Sequence, residues 1–285
     1  MRIFGLIGYP LGHSFSASYF EKKFRKEGIE ASYRNFPLEH IEDFKSLLTQ
    51  EPDLDGLNVT VPYKQAIIPF LDRLSDVAEE IHAVNTVSFR HTGERLVLTG
   101  DNTDVIGFRR SLEEHLKPSH TSALVLGTGG SSRAIQYVLG QLGIGFIMVS
   151  RSAGTKNGEK GDERRDEKRG ESREELRDEK RHDSRNGADS GIRRVTYREL
   201  DSKLVGETPL IINTTPLGMF PEVGSYPDIP YDALTPAHLL FDLVYNPART
   251  AFLKRGEEMG ATVVNGYDML VYQAEASWGI WNNSS

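Results

Sequence analysis

The 285-residue chain contains no cysteine. That excludes disulfides, thiolate nucleophiles and cysteine-ligated zinc, and it suits a reducing compartment. Long apolar runs are missing too: no stretch approaches the roughly 18 residues that a membrane-crossing helix needs. The opening MRIFGLIGYP reaches Gly8-Tyr9-Pro10 before any signal-peptide core develops. The expectation is a cytoplasmic protein with no membrane partner. There is no surplus of positive charge: 34 Lys and Arg face 41 Asp and Glu, a formal net charge of −7. A mildly acidic chain with no net-basic stripe is a poor candidate for general binding to a phosphate backbone, and no nucleic-acid partner is expected. Of the eight histidines, His13 reads as a turn residue and the others show no metal-ligand spacing, so no metal is expected.

Charge is abundant in one place. Residues 162–185 read DERR DEKR GESR EELR DEKR HDSR, six tetrapeptides that each end in arginine. Residues 156–189 hold 11 Lys/Arg and 12 Asp/Glu, so the block is nearly neutral and most of the acidic excess lies elsewhere. On a helix, its period would set Glu163, Glu167, Glu171, Glu175 and Glu179 as like-charged i,i+4 neighbours, and the arginines likewise, which opposes a stable helix. Leu176 is the single large apolar residue available for docking. The expectation is a solvated insertion, at about 154–191, with no chemical role.

Outside that block, short apolar strands alternate with amphipathic helices. RIFGLIG, ASYRNFP and DGLNVTV read as strands, with helices over residues 15–27 and IEDFKSLLTQ between them. AVNTVSFR and RLVLTG flank His91-Thr92-Gly93-Glu94 and read as a hairpin. Then come a helix over about 103–116, the strand SALVLG, a helix over about 131–142 and the strand FIMVS. LIINTT and HLLFDLV are two further buried-type strands, and the chain closes with an αβα series ending in the helix YDMLVYQAEASWGIW. The pattern makes an α/β fold with two open sheets. In such folds ligands collect at the carboxyl ends of strands, where most of the polar residues below fall.

SALVLGTGGSSRA sets Gly127, Gly129 and Gly130 at a strand-to-helix junction. Glycine lets the backbone turn tightly and approach a pyrophosphate, and the helix start adds N–H donors. Ser132 stands where a strict G-x-G-x-x-G has its third glycine, and turns of this kind also occur with no ligand. About twenty residues on, FIMVS ends at Ser150-Arg151, an arginine where NAD-binding folds place an acid. A guanidinium pairs with a 2′-phosphate, so NADP is favoured over NAD; the alternative is an ordinary surface arginine. GYPLGHSFS offers Ser14 and Ser16 near a helix start, either as N-caps or as hydroxyls that hold a carboxylate. LNVTVPYK puts Asn58, Thr60 and Lys64 around a strand end and a proline-initiated helix. AVNT supplies Asn85, and GDNTDVIGF supplies Asn102 and Asp104 just before a helix.

GYPLGHSFS, LNVTVPYK, AVNT, GDNTDVIGF, GTGGSSRA, IINTTPLGM, FDLVYNP and NGYDMLVYQA, in this order, resemble the shikimate dehydrogenase family. The likeness runs from the first strand to the last helix, interrupted by the charged block. It implies a two-domain α/β protein. An N-terminal open α/β domain, 1–104, would bind substrate and carry catalysis, completed by the C-terminal helix 266–285. A Rossmann-type NADP-binding domain, 105–265, would hold the insertion. The implied reaction is reversible NADPH-dependent reduction of 3-dehydroshikimate to shikimate, in aromatic amino-acid and chorismate biosynthesis. The implied partner is that small-molecule substrate, with a homodimer left open.

By motif, the resemblance makes Lys64 and Asp104 the catalytic pair and has Ser14 and Ser16 hold the substrate carboxylate beside Tyr245. It brings Thr60, Asn85 and Gln273 to ring hydroxyls and lines the pyrophosphate with Gly127, Gly129 and Gly130. Ser150, Arg151 and Ser152 stand in for the family's Asn-Arg-Thr signature at the 2′-phosphate, and Thr214 and Met219 fall near ribose and nicotinamide. That altered signature, with the charged block where the family has a helix, bears directly on NADP selectivity. Two other readings stay open: a quinate/shikimate dehydrogenase with NAD use, and a non-catalytic sensor of shikimate-type acids or partner-binding protein on the same scaffold. Deleting residues 162–185 is expected to leave the cooperative thermal transition in place; a cooperative loss of stability on deletion would show that the block packs on the core.

Overall fold

The computed structural model describes residues 1–12, 14–93, 95–152 and 192–282. The loop reading of the charged block and the turn reading of His13 lie outside these residues.

The first half runs β1 (Arg2–Gly8), α1 (Phe15–Glu27), β2 (Ala31–Pro37), α2 (Phe44–Gln50) and β3 (Leu54–Val59). β4 (Arg73–Leu74), α3 (Asp76–Ile81), β5 (Thr86–Thr92) and β6 (Arg95–Asp101) complete a mixed six-stranded sheet of order β2-β1-β3-β5-β6-β4. α4 (Asp104–Glu113) leads to the second sheet. Its elements are β7 (Ser122–Leu126), α5 (Gly130–Gln141), β8 (Gly145–Ser150), β9 (Arg194–Thr196), α6 (Ser202–Gly206), β10 (Leu210–Asn213), β11 (Leu239–Asp242), α7 (Ala251–Glu258) and β12 (Thr262–Val264). These six strands are all parallel, in the order β12-β11-β10-β7-β8-β9. α8 (Tyr267–Asn282) then returns to the first sheet.

Every residue of β10 and β11 is buried, as are the last four of β7, because helices cover both faces of a parallel sheet. β7 lies between β8 and β10, so the chain leaves it in one direction and later returns on its other side. The crevice that this reversal opens is the usual ligand position of a doubly wound sheet. In the first sheet, α1 and α8 pack an aromatic layer: Phe4 stacks on Trp281 at 4.8 Å and Phe20 on Tyr33 at 4.8 Å. The Trp281 indole N–H donates to Val87 O at 3.1 Å, satisfying the one polar atom of a buried ring.

Two local expectations change. No α-helix follows Pro62: residues 61–67 form successive turns, then one 3-10 turn at Ile68–Phe70. Pro69 has no N–H to give Gln65 O, which accepts from Ile68 N at 3.2 Å instead. The hairpin strands pair through Thr92 and Arg95, so the turn is tighter than the four residues read from the sequence; Gly93 takes φ +64 there. β4, β9, α3 and α6 are additions to the sequence reading.

His120 is buried just before β7. Its Nδ1 accepts from Lys117 N at 3.1 Å, and its Nε2 meets Ala237 O at 3.3 Å, tying that turn to the one before β11. Burial lowers its pKa below the usual 6.5. The unfolded chain therefore takes up the proton first, so the stability from neutral His120 is whole above about pH 6.5 and is lost as pH falls through the folded value. Thermal unfolding between pH 8 and pH 5 is expected to show a larger loss in the parent than in His120→Gln; parallel losses would remove His120 from the acid response.

Candidate active site

Lys64 lies just beyond β3, its carbonyl fixed by the Val84 amide at 2.7 Å. Its Nζ is 2.5 Å from Asp104 Oδ2 and donates to Ser131 Oγ at 3.3 Å. Asp104 opens α4, where the positive end of the helix favours a carboxylate. Its Oδ1 accepts from Asn85 Nδ2 at 2.8 Å. Only 12% and 8% of the two side chains is exposed, so removing either partner strands a shielded charge. A Cβ on Gly130 would lie 3.5 Å from the Lys64 stem, so the glycine turn of the second sheet abuts the lysine of the first.

Behind the pair runs a buried polar network. Asn85 Oδ1 accepts from Thr103 N at 2.7 Å. The Thr103 and Thr86 hydroxyls both meet Ser277 Oγ, at 3.0 and 2.8 Å. Asn58 Nδ2 donates to Ser277 Oγ at 3.0 Å and to Asn85 O at 3.2 Å, while its Oδ1 accepts from Tyr33 at 2.8 Å. Gln273 donates to Leu270 O at 3.0 Å and accepts from Thr103 Oγ1 at 3.4 Å. A network this well satisfied holds its members in one geometry. Sequence reasoning missed Thr86, Thr103, Ser131 and Ser277. The first three adjoin chosen residues within their motifs. Ser277 sits one helical turn beyond Gln273, a spacing that puts both on one face of α8.

Ser14 caps α1, its Oγ accepting from Ala17 N at 3.2 Å, which leaves the hydroxyl proton available to donate. The Ser16 hydroxyl lies near that of Tyr33, which itself donates to Asn58 Oδ1 at 2.8 Å. Thr60, at the end of β3, donates its amide to Ile7 O at 2.9 Å. Tyr245, from the loop after β11, is half-buried, and burial raises its pKa. Its ring meets Phe15 edge-on at 5.6 Å, so the Ser14–Ser16 helix start and Tyr245 lie side by side across the two sheets.

In the glycine turn, Gly127 has φ +107, and a Cβ there would lie 2.7 Å from Thr214 Oγ1; both facts require glycine. Gly129 is the N-cap of α5, and a Cβ on it would meet no protein atom within 4 Å. Ser132, at the third motif position, closes the turn by donating to Gly129 O at 2.7 Å. Thr214 is held by two bonds to Leu126 O, from N at 2.9 Å and Oγ1 at 2.7 Å. Met219, further along that loop, is 47% exposed. Ser150 Oγ donates to Ser152 O at 2.6 Å, and the exposed Arg151 between them stands near Tyr197. An open glycine at a helix N-terminus, with an arginine and no acid at the end of β8, fits a phosphorylated dinucleotide.

The family model described as "Shikimate dehydrogenase substrate binding domain" matches residues 6–87. The chain is 34% identical over 285 residues to the shikimate dehydrogenase (NADP(+)) of Desulforamulus reducens, covering 98% of this chain and 89% of that protein. Its structure is similar to that of shikimate 5-dehydrogenase from Thermus thermophilus in complex with NADP(H) and shikimate, with TM-score 0.75, 26% identity, and coverage of 99% and 94%. It is also similar to the quinate dehydrogenase of Corynebacterium glutamicum in complex with NAD, with TM-score 0.76, 26% identity, and coverage of 99% and 94%. A full-length match at that identity, on a fold with the same two sheets, decides the assignment: this chain belongs to the shikimate dehydrogenase family.

Proposed function

We propose that this enzyme reduces the ring ketone of 3-dehydroshikimate reversibly to the alcohol of shikimate, with NADP as its cofactor and Lys64 and Asp104 as its catalytic pair. The observation that carries the reading is the shielded Lys64–Asp104 contact, lodged between the polar network of one sheet and the glycine turn of the other. NADPH supplies a hydride but no proton. The oxygen left by hydride addition must therefore be protonated, and the Lys64 ammonium stabilises its charge and donates. Asp104 holds Lys64 in place and accepts a hydrogen bond from a substrate hydroxyl. Asn85 keeps the second oxygen of Asp104 aligned. In the reverse direction Lys64 takes the proton back.

Thr60, Asn85 and Gln273 meet the ring hydroxyls, and Ser14, Ser16 and Tyr245 hold the carboxylate. A polyol acid needs this kind of lining, and a site built from such groups rejects analogues that leave them unpaired. Gly127, Gly129 and Gly130 cradle the pyrophosphate. Thr214 and Met219 flank ribose and nicotinamide, and Ser150, Arg151 and Ser152 take the 2′-phosphate. Residues 1–104 with 266–285 form the substrate domain, and 105–265 form the cofactor domain. The division is supported by the two sheets, whose strands fall within 2–101 and 122–264. The NADP preference is supported by Arg151 and by the NADP(+) in the name of the relative from D. reducens.

Following nicotinamide absorbance, shikimate should reduce NADP⁺ in preference to NAD⁺, and quinate should react poorly. Lys64→Ala is expected to lower kcat on the order of 10²–10⁴-fold while the protein stays folded and still binds shikimate. Normal turnover would remove the catalytic assignment. Arg151→Ala is expected to raise KM for NADP⁺ by about tenfold or more, the worth of a charge-assisted hydrogen bond, with NAD⁺ unaffected. Equal effects on both cofactors would sink the 2′-phosphate role.

A further inference from the structure

Asp242 closes β11 and is fully buried, at 0% exposure. Its Oδ1 accepts from Asn213 Nδ2 at 2.9 Å and Val244 N at 3.0 Å, and its Oδ2 accepts from Thr250 Oγ1 at 2.6 Å. Three donors converge on it, a pattern that an ionised carboxylate satisfies. Burial nevertheless pushes the carboxyl up to about 6. Among the described residues no Lys or Arg pairs with it. The fold thus keeps a carboxylate in its interior on neutral hydrogen bonds alone, and those three bonds offset part of the cost of burying it.

What the bonds hold is two loops. Asn213 closes β10, directly beside Asp242 in the sheet. Its Oδ1 accepts from Thr215 N at 3.0 Å and Thr215 Oγ1 at 2.6 Å, and its Nδ2 also reaches Leu217 O at 3.4 Å. Through Asn213, Asp242 fixes the loop that carries Thr214 and Met219. On its other side, Val244 N adjoins Tyr245, and Thr250 is the N-cap of α7, accepting from Leu253 N at 3.3 Å. The same carboxylate therefore anchors the loop 243–250 at both ends. The two loops also touch: Phe220 N donates to Asn246 O at 3.4 Å, and a Cβ on Gly218 would lie 3.1 Å from Thr250 Cβ.

We infer that Asp242 is a positioning residue that sets the cofactor-side loop, 214–219, and the substrate-side loop, 243–250, in one fixed relation through Asn213 and Thr250. The inference rests on the roles proposed above for Thr214, Met219 and Tyr245. A shared anchor at the ends of two rigid strands keeps both reactants in register, where small misplacements are costly to rate.

The test compares Asp242→Ala with the parent by amide hydrogen exchange and by steady-state kinetics. Exchange in peptides covering 213–220 and 243–250 is expected to accelerate about tenfold, the loss of one to two net hydrogen bonds, with β1 and β7 unchanged. KM for shikimate and KM for NADP⁺ are expected to rise together, by about tenfold on the same reasoning. Asp242→Asn keeps an acceptor for Asn213 and Val244 and is expected to recover most of both effects. Should Asp242→Ala fail to fold, Asn213→Ala cuts the same link from the other strand, and the same paired signature is expected. Unchanged exchange in either loop would overturn the inference. So would a rise in only one KM, or a fall in activity per milligram with both KM values intact, which is all a merely structural role would give. A parent protein inactive on shikimate would count against the proposed reaction instead, and the exchange data would still decide the anchor.

Discussion

The ion pair between Lys64 and Asp104 is the constraint around which the rest of the molecule is arranged. Two opposite charges shielded from water are unfavourable to assemble unless geometry and further hydrogen bonds compensate. Here Asn85, just before β5, and Ser131, in the first turn of α5, supply those bonds. The carboxylate sits in the first turn of α4, where the helix dipole adds its share. The lysine stem lies against Gly130, where even an added Cβ would only make ordinary contact at 3.5 Å, so the glycine turn abuts the pair. Charge, helix start and glycine turn thus meet at one place.

Two helices make the joint between the sheets. α4 and α8 approach closely at Gly107, where a Cβ would run into Met269 O. α8 contributes Met269 to the core of the second sheet, alongside Phe108 of α4, and Trp281 to the aromatic layer of the first. Gln273 and Ser277 fall between these anchors and enter the polar network at its centre. The network that orients Asp104 is therefore supported by a helix whose ends are fixed in different hydrophobic cores. Because interiors are close-packed, a shift of α8 is felt at Asp104 rather than absorbed on the way.

Much of this was legible before the fold was seen, for physical reasons that also explain the misses. The central parallel strands are buried on both faces and so read as unbroken apolar runs, LIIN and LLFD among them. β4 and β9 have two and three residues, too few to display a period. The helix expected after Pro62 followed a sound start signal that Pro69 cancels seven residues later. In the site, Lys64, Asp104 and Asn85 could be placed at strand ends from the pattern alone, but a lone lysine there usually reads as a solvated surface charge, and their roles came from the motif resemblance. Thr86, Thr103 and Ser277 matter only through one another, across separations that no local pattern reveals. Asp242 was hidden for the opposite reason: inside FDLV it reads as a strand ending in an ordinary acid, and only the sheet brings Asn213 beside it.

The contrast between Asp104 and Asp242 shows how surroundings divide the labour of two carboxylates. Asp104 faces a cation at the seam between the sheets. Such a group can trade hydrogen bonds with a ligand, because its partner is a flexible ammonium with several protons to direct. Asp242 pairs with no cation among the described residues, and all its hydrogen-bond donors are fixed by strand ends or a helix cap. It has nothing to trade and nowhere to move. A carboxylate with a mobile cation suits proton chemistry, and one locked among neutral donors suits the setting of geometry. The same side chain serves both ends because the fold gives the first a seam and the second an interior.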